Sequence, residues 1–193
     1  MVPMPSTDTL SPTEREALLT VARQSIRHGL DTGRPLPAPG NLPLERLYEP
    51  GASFVTLHMA GHLRGCIGSL EAYRPLVEDV SENAFAAAFR DPRFPPLSDA
   101  ELPQLQLSLS VLTPAEPIDF NSEQELLATI QPDVDGLILE DGGHRGTFLP
   151  SVWESLPDPR DFLQHLKQKA GLPADYWSDS LRVSRYRTES FGE

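Results

Sequence analysis

Cys66 lies in the run Leu63-Arg64-Gly65-Cys66-Ile67-Gly68-Ser69, and the chain has no other cysteine. Residues two apart on an extended strand share a face about 6.6 Å apart, so Arg64 and Cys66 are expected on one side. A guanidinium at that range favours the thiolate, lowers the cysteine pKa and raises its reactivity. Gly65 and Gly68 leave the backbone bare, which permits a sharp bend or close approach of another molecule to the amides. Together with Arg64 such amides can hold an anion. Cys66 and Arg64 are therefore the candidate catalytic residues, as nucleophile and electrostatic support. Arg64, Gly65, Cys66 and Gly68 are candidate ligand-binding residues. The plainer reading is a buried structural cysteine in a glycine-bent strand, since free cysteine is among the most buried residue types.

Arg90, Asp91 and Arg93 cluster among prolines directly after an apolar helical stripe, and they are expected as further lining of the same site. Their plainer reading is a salt-bridged turn with Asp91 capping and the arginines in solvent. A thiol nucleophile needs a base, and His58, His62 and His144 are the histidines to weigh. His62 shares the strand parity of Cys66 but stands about 13 Å away along an ideal strand. His144 falls in Gly142-Gly143-His144-Arg145-Gly146, which reads as a glycine-rich bend and lacks the spacing of a phosphate loop. His58 and His62 are four apart across a turn and not on a helix, so no metal site is expected, and no cofactor. Arg182, Arg185 and Arg187 are expected to pair with the acidic surplus.

The elements that would position these groups follow from periodicity and caps. Ser11-Pro12-Thr13-Glu14 opens a helix with a capping box; its stripe is Ala17, Leu18, Val21, Ala22 and Ile26, and Gly29 is placed to end it. Prolines recur from Asp31 to Gly51, an extended connection. Ser53 to Met59 and Leu63 to Ile67 are strands joined by a tight turn at Ala60-Gly61. A helix spans about Pro75 to Phe89, and Ser98 with Glu101 suggests a short capped helical turn. Leu105 to Val111 alternates strictly, the pattern of an antiparallel strand with one buried face. Ser122 and Glu125 open another helix, Asp141-Gly142-Gly143 joins a second hairpin, Asp158-Pro159 starts a helix ended by Gly171, and Leu181 to Tyr186 is a final strand. Hairpins replace regular crossovers, so the fold class is α+β with mostly antiparallel sheet and packed helices.

Lys and Arg number 16 against 28 Asp and Glu, giving a formal charge of −12. That balance argues against wrapping nucleic acid, which requires cations to displace phosphate counterions. It argues equally against docking on anionic membrane. At 39% hydrophobic residues over 193 positions the chain can bury a core. The start MVPMPSTDTL lacks a basic, apolar signal segment, and no apolar run approaches the roughly 18 residues of a spanning helix. A single cysteine suits a reducing compartment. The expected location is the cytoplasm.

Leu63-Arg64-Gly65-Cys66-Ile67-Gly68 resembles the signature of the AMMECR-type domain family. The likeness continues in Phe89-Arg90-Asp91-Pro92-Arg93-Phe94-Pro95-Pro96-Leu97, in Ser108 to Leu112, in Gly146 to Pro150 and in Arg185-Tyr186-Arg187. The resemblance implies two α+β lobes with a cleft between them, onto which Arg64–Gly68 faces. The expected organisation is a tail over residues 1–10 and one domain over 11–193, with lobe boundaries near 117 and 179. The family implies no established reaction; prokaryotic relatives are often encoded beside Memo-like and radical-SAM proteins, which implies a shared pathway. Two functions follow. One is an accessory domain holding a small ligand, peptide or partner, with Memo-like or radical-SAM proteins as partner candidates. The other is a thiol-dependent enzyme using Cys66 with Arg64.

Overall fold

In the computed structural model, the described residues are 9–193. The expected tail lies outside them except at its end, where Leu10 departs from the expectation. Leu10 is buried in the core, and its amide donates to the Glu189 carboxylate.

The architecture is α+β, with two compact units. The first holds the residues up to Leu112 together with Glu189–Glu193. Its sheet runs β2 (His62–Gly68), β1 (Ser53–Met59), β3 (Leu105–Leu112), β8 (Thr188–Gly192). β1 pairs antiparallel with both neighbours. The turn Ala60-Gly61 has positive φ at both residues, 51° and 79°, as a two-residue turn between twisted strands requires. The alternation of β3 sends Leu105, Leu107 and Leu109 into one core with Val55 and Leu57 of β1. Helices α1 (Pro12–Thr32) and α2 (Leu76–Phe89) supply the other wall through Leu18, Val21, Ala22 and Ile26, and Val77, Val80, Ala84 and Ala88.

Helix α1 begins with its capping box at Ser11 and Glu14, but Gly29 does not end it. The helix continues to Thr32, and Gly33 closes it in the left-handed conformation by donating to the Gly29 carbonyl. Gly29 is kept small for another reason: a Cβ there would stand 2.5 Å from the Phe89 ring and 2.7 Å from Phe85. The proline-rich connection contains one 3-10 turn, Glu45–Tyr48. Glu101 reaches back to accept from the Ser98 amide, and the short helical turn that follows is the 3-10 turn Leu102–Gln104, which Pro103 sits inside and does not close. β8 is the strand that the sequence pattern misses in this unit.

The second unit is Thr113–Thr188. Its sheet has the order β4 (Glu116–Pro117), β7 (Arg182–Tyr186), β5 (Gly136–Asp141), β6 (His144–Phe148), with every neighbouring pair antiparallel. Leu137, Leu139 and Val183 pack against Leu126 of α3 (Glu123–Thr129) and Phe162, Leu163 and Leu166 of α4 (Pro159–Lys169). The Trp153 ring stacks on Phe162 at 3.7 Å. Its indole nitrogen donates to the Asp135 carbonyl, which satisfies the one polar atom of a buried tryptophan. Among the described residues no helix is long and apolar enough to cross a membrane.

Candidate functional site

Cys66 stands on the edge strand of the first sheet, and its surroundings follow from that position. The Cys66 amide points away from β1 and donates to Asp91 Oδ2 at 3.0 Å. Arg93 Nη2 lies 3.5 Å from the Cys66 carbonyl. The segment after α2 thus supplies the acceptor and donor that a neighbouring strand would supply, and the edge is closed there. An outward-pointing amide makes Thr56 and Cys66 a non-hydrogen-bonded cross-strand pair, in which side chains approach most closely. Thr56 Oγ1 is 3.3 Å from Cys66 Sγ. The thiol is half-buried on the face opposite the helices.

Arg64 does something different from what strand parity predicts. The register shifts between Leu57 and His58, which pair with Gly65 and Leu63, so Arg64 faces no residue of β1. Such a bulge re-aims side chains. The Arg64 side chain is 8% exposed and forks onto Glu101, with Nε 3.0 Å from Oε1 and Nη2 3.2 Å from Oε2. Nη2 also donates to the Pro95 carbonyl at 2.9 Å. This pairing, with the Ser98 amide second, holds the Glu101 carboxyl below the usual carboxylate range.

The guanidinium that reaches the Cys66 backbone is that of Arg93. Its pKa is raised first by its hydrogen bonds to Asp91 and also by the Asp91 charge, against desolvation. Asp91 is buried and accepts from the amides of Cys66 and Arg93 and from Arg93 Nε and Nη2. Those bonds, Arg93's side chain foremost, hold its carboxyl far below the usual range despite burial. Arg90 is not brought to this group; its guanidinium lies over the Phe85 ring, 4.9 Å from the centroid.

Both glycines of the motif are fixed by packing. A Cβ on Gly65 would stand 2.1 Å from the Ala87 carbonyl oxygen of α2, and one on Gly68 2.2 Å from the Phe54 ring. Gly65 lets a helix backbone approach a strand, while Gly68 makes room for an aromatic ring.

A buried polar network next to the site escaped the sequence reading. Asp79, fully buried on α2, accepts from the Ser53 amide and hydroxyl, Asn83 Nδ2, Ser69 Oγ and Arg74 Nε. It ties the segment after Gly68 to the start of β1. Its signal was a carboxylate at helical spacing from Leu76 and Asn83 within an apolar stripe. In the second unit, His144 Nδ1 contacts the Ala170 carbonyl at 3.2 Å, and Arg185 pairs with Asp135 at 3.6 Å. Among the described residues, no three His, Cys, Asp or Glu side chains converge as metal ligands.

Comparison with known proteins identifies the family. The AMMECR1 family model matches residues 19–191, and the chain belongs to that family. A protein of Methanothermobacter thermautotrophicus is 39% identical over 190 residues, covering 95% of this chain and 96% of that protein. One from Thermococcus gammatolerans is 41% identical over 191 residues, covering 92% and 89%. The crystal structure of uncharacterized protein PH0010 from Pyrococcus horikoshii superposes with a TM-score of 0.82 at 37% identity, covering 93% of this chain and 91% of that one.

Proposed function

We propose that this AMMECR1-family chain is an accessory binding domain, and that the surface of β1 and β2 around Cys66, bordered by Arg93, holds a small ligand, a peptide or a partner protein. One observation supports this reading above others. From Arg64 to Gly68, four of the five positions are committed to the chain's own packing. Arg64 is paired to Glu101, Gly65 is pressed on α2, Ile67 packs partly buried against the core, and Gly68 lies under Phe54. Cys66 alone of the five presents a half-exposed functional group, on a backbone clamped by Asp91 and Arg93. A surface fixed before binding loses little entropy when it is occupied. Memo-like and radical-SAM proteins are the partners to test first, because the family resemblance implies them.

A second reading, thiol chemistry at Cys66, draws support from the Thr56 hydroxyl beside the sulfur and the Arg93 guanidinium at the Cys66 carbonyl. Retention of these partners on immobilised chain, with mass spectrometry of whatever co-purifies, tests both readings. The binding reading expects retention by wild type and Cys66→Ser and loss with Arg93→Glu. Loss with Cys66→Ser supports thiol chemistry, and a wild-type chain that retains nothing overturns the binding reading.

A further inference from the structure

Among the described residues, one nitrogen of Arg64 goes unanswered. Nε and Nη2 are taken by Glu101 and the Pro95 carbonyl, whereas Nη1 is buried without an acceptor. Buried donors are rarely left so, because an unmade hydrogen bond in a dry site is costly. One aromatic ring joins this guanidinium to a second one. Arg64 Cζ lies 5.9 Å from the Phe94 centroid, and Arg93 Cζ lies 5.4 Å from the same centroid. Arg93, in contrast to Arg64, is 54% exposed.

We propose that Arg64 and Arg93 form an oxyanion site gated by Phe94, in which a carboxylate or phosphoryl oxygen of a ligand accepts from Arg64 Nη1 when the ring turns aside. The proposal rests on the binding reading above and names its ligand class. The backbone around the Phe94 ring is held by hydrogen bonds. Phe94 is anchored through its amide to the Asp91 carbonyl at 3.2 Å, and the next carbonyl, that of Pro95, is held by Arg64. In this proposal those bonds keep the backbone in place while the partly exposed ring turns.

Each guanidinium already has a carboxylate, Glu101 for Arg64 and Asp91 for Arg93. The local charge is thus balanced, and the attraction comes from directed N–H groups in a dry setting, not from a surplus of positive charge. Such a site favours a single oxyanion in a defined orientation over diffuse polyanions. Phe94 also gives back its cation–π contact only when something better replaces it.

The test uses the full chain labelled with nitrogen-15. It is titrated separately with inorganic phosphate and with acetate at constant ionic strength, while the Arg64 and Arg93 side-chain N–H signals are followed. The expected result is a saturable shift of the Arg64 signals with at least one probe. Response to phosphate alone assigns a phosphoryl ligand, to acetate alone a carboxylate, and to both the shared chemistry. Phe94→Ala, which removes the gate, should tighten binding by about threefold or more. Arg93→Gln should weaken it by about tenfold. Arg93 is exposed and Phe94 partly so, and the test does not depend on a variant of buried Arg64 folding. Arg64 signals that neither probe moves, or an affinity unchanged by Phe94→Ala, overturn the site. A saturable Arg64 response in a chain that retains no partner removes the partner-protein arm of the binding reading and leaves its small-ligand arm, with the oxyanion site, standing. A retained partner with silent Arg64 signals does the reverse.

Discussion

At the scale of single residues, Gly65 is the position with least freedom. Its missing Cβ would overlap a backbone carbonyl of α2 at 2.1 Å, and a helix backbone cannot turn away as a side chain can. Gly65→Ala should therefore cost about 1–3 kcal/mol or more of folding stability. Gly68→Ala should cost less, because the obstacle there is the Phe54 ring, which has a rotamer to change. Urea midpoints for the two variants check the order; equal losses would refute it. Asp91 makes a different prediction. Its carboxyl is held below its ordinary pKa, so the folded chain binds fewer protons there than the unfolded chain. The stability it contributes is complete above the ordinary carboxylate range near pH 4 and is lost as pH falls below it. Asp91→Asn should flatten the acid limb of the stability–pH curve, read from chemical denaturation at a series of pH values. The residues of this site were legible in the sequence, but their wiring was not. Parity along an unbroken strand assigned Arg64 to Cys66. The bulge opposite Leu57 and His58 and an acceptor 37 residues away at Glu101 gave Arg64 a different partner. Neither feature leaves a mark in local sequence, and the guanidinium that reaches the Cys66 backbone belongs to Arg93.

At the scale of elements, legibility followed locality. The hairpin β1–β2 and the buried face of β3 rest on turn chemistry and a period of two, which neighbouring residues carry. β8 and the two-residue β4 depend on partners far along the chain, β8 beside β3 and β4 beside β7. Their residues, Thr-Glu-Ser-Phe-Gly and Glu-Pro, have no alternation to betray them. The Asp79 network is likewise drawn from β1, α2 and the segment after β2, each contributing a residue or two that looks ordinary alone. Gly29 shows how a local rule misleads. Glycine at the end of an apolar stripe reads as a stop, yet here it lets α1 meet two phenylalanines of α2. Gly29→Ala would gain about 1 kcal/mol of helix propensity but must displace both rings, at about 1–3 kcal/mol. The clash is expected to win, giving a net loss of stability. The added penalty should shrink in the background Phe89→Ala, where the nearest obstacle at 2.5 Å is gone. A double-mutant cycle with no coupling between Gly29 and Phe89 would contradict this account of the helix pair.

At the scale of the whole molecule, the chain leaves the first unit at Leu112, builds the second, and returns at Glu189 to finish the first. The last five residues are thus part of the first unit's structure. Glu189 pairs with Arg15 and accepts from the Leu10 amide, and Glu193 pairs with Arg23. The Glu193 amide donates to the Leu107 carbonyl, and Ser190 meets Ser110 across the sheet. Removing Glu189–Glu193 takes away the strand beside β3 and strips two arginines of α1 of their carboxylates. The chain's two tryptophans, Trp153 and Trp177, both lie in the second unit. Tryptophan emission therefore reports on that unit, while far-ultraviolet circular dichroism reports on helices of both. In a chain truncated after Thr188, the first unit is expected to unfold at lower urea, seen as an early loss of ellipticity. The emission transition is expected to stay where it is in the full chain, because the core around Trp153, Phe162 and Leu137 owes nothing to β8. Both transitions falling together would instead make the molecule one cooperative unit, with the returning strand as the element that joins its stability.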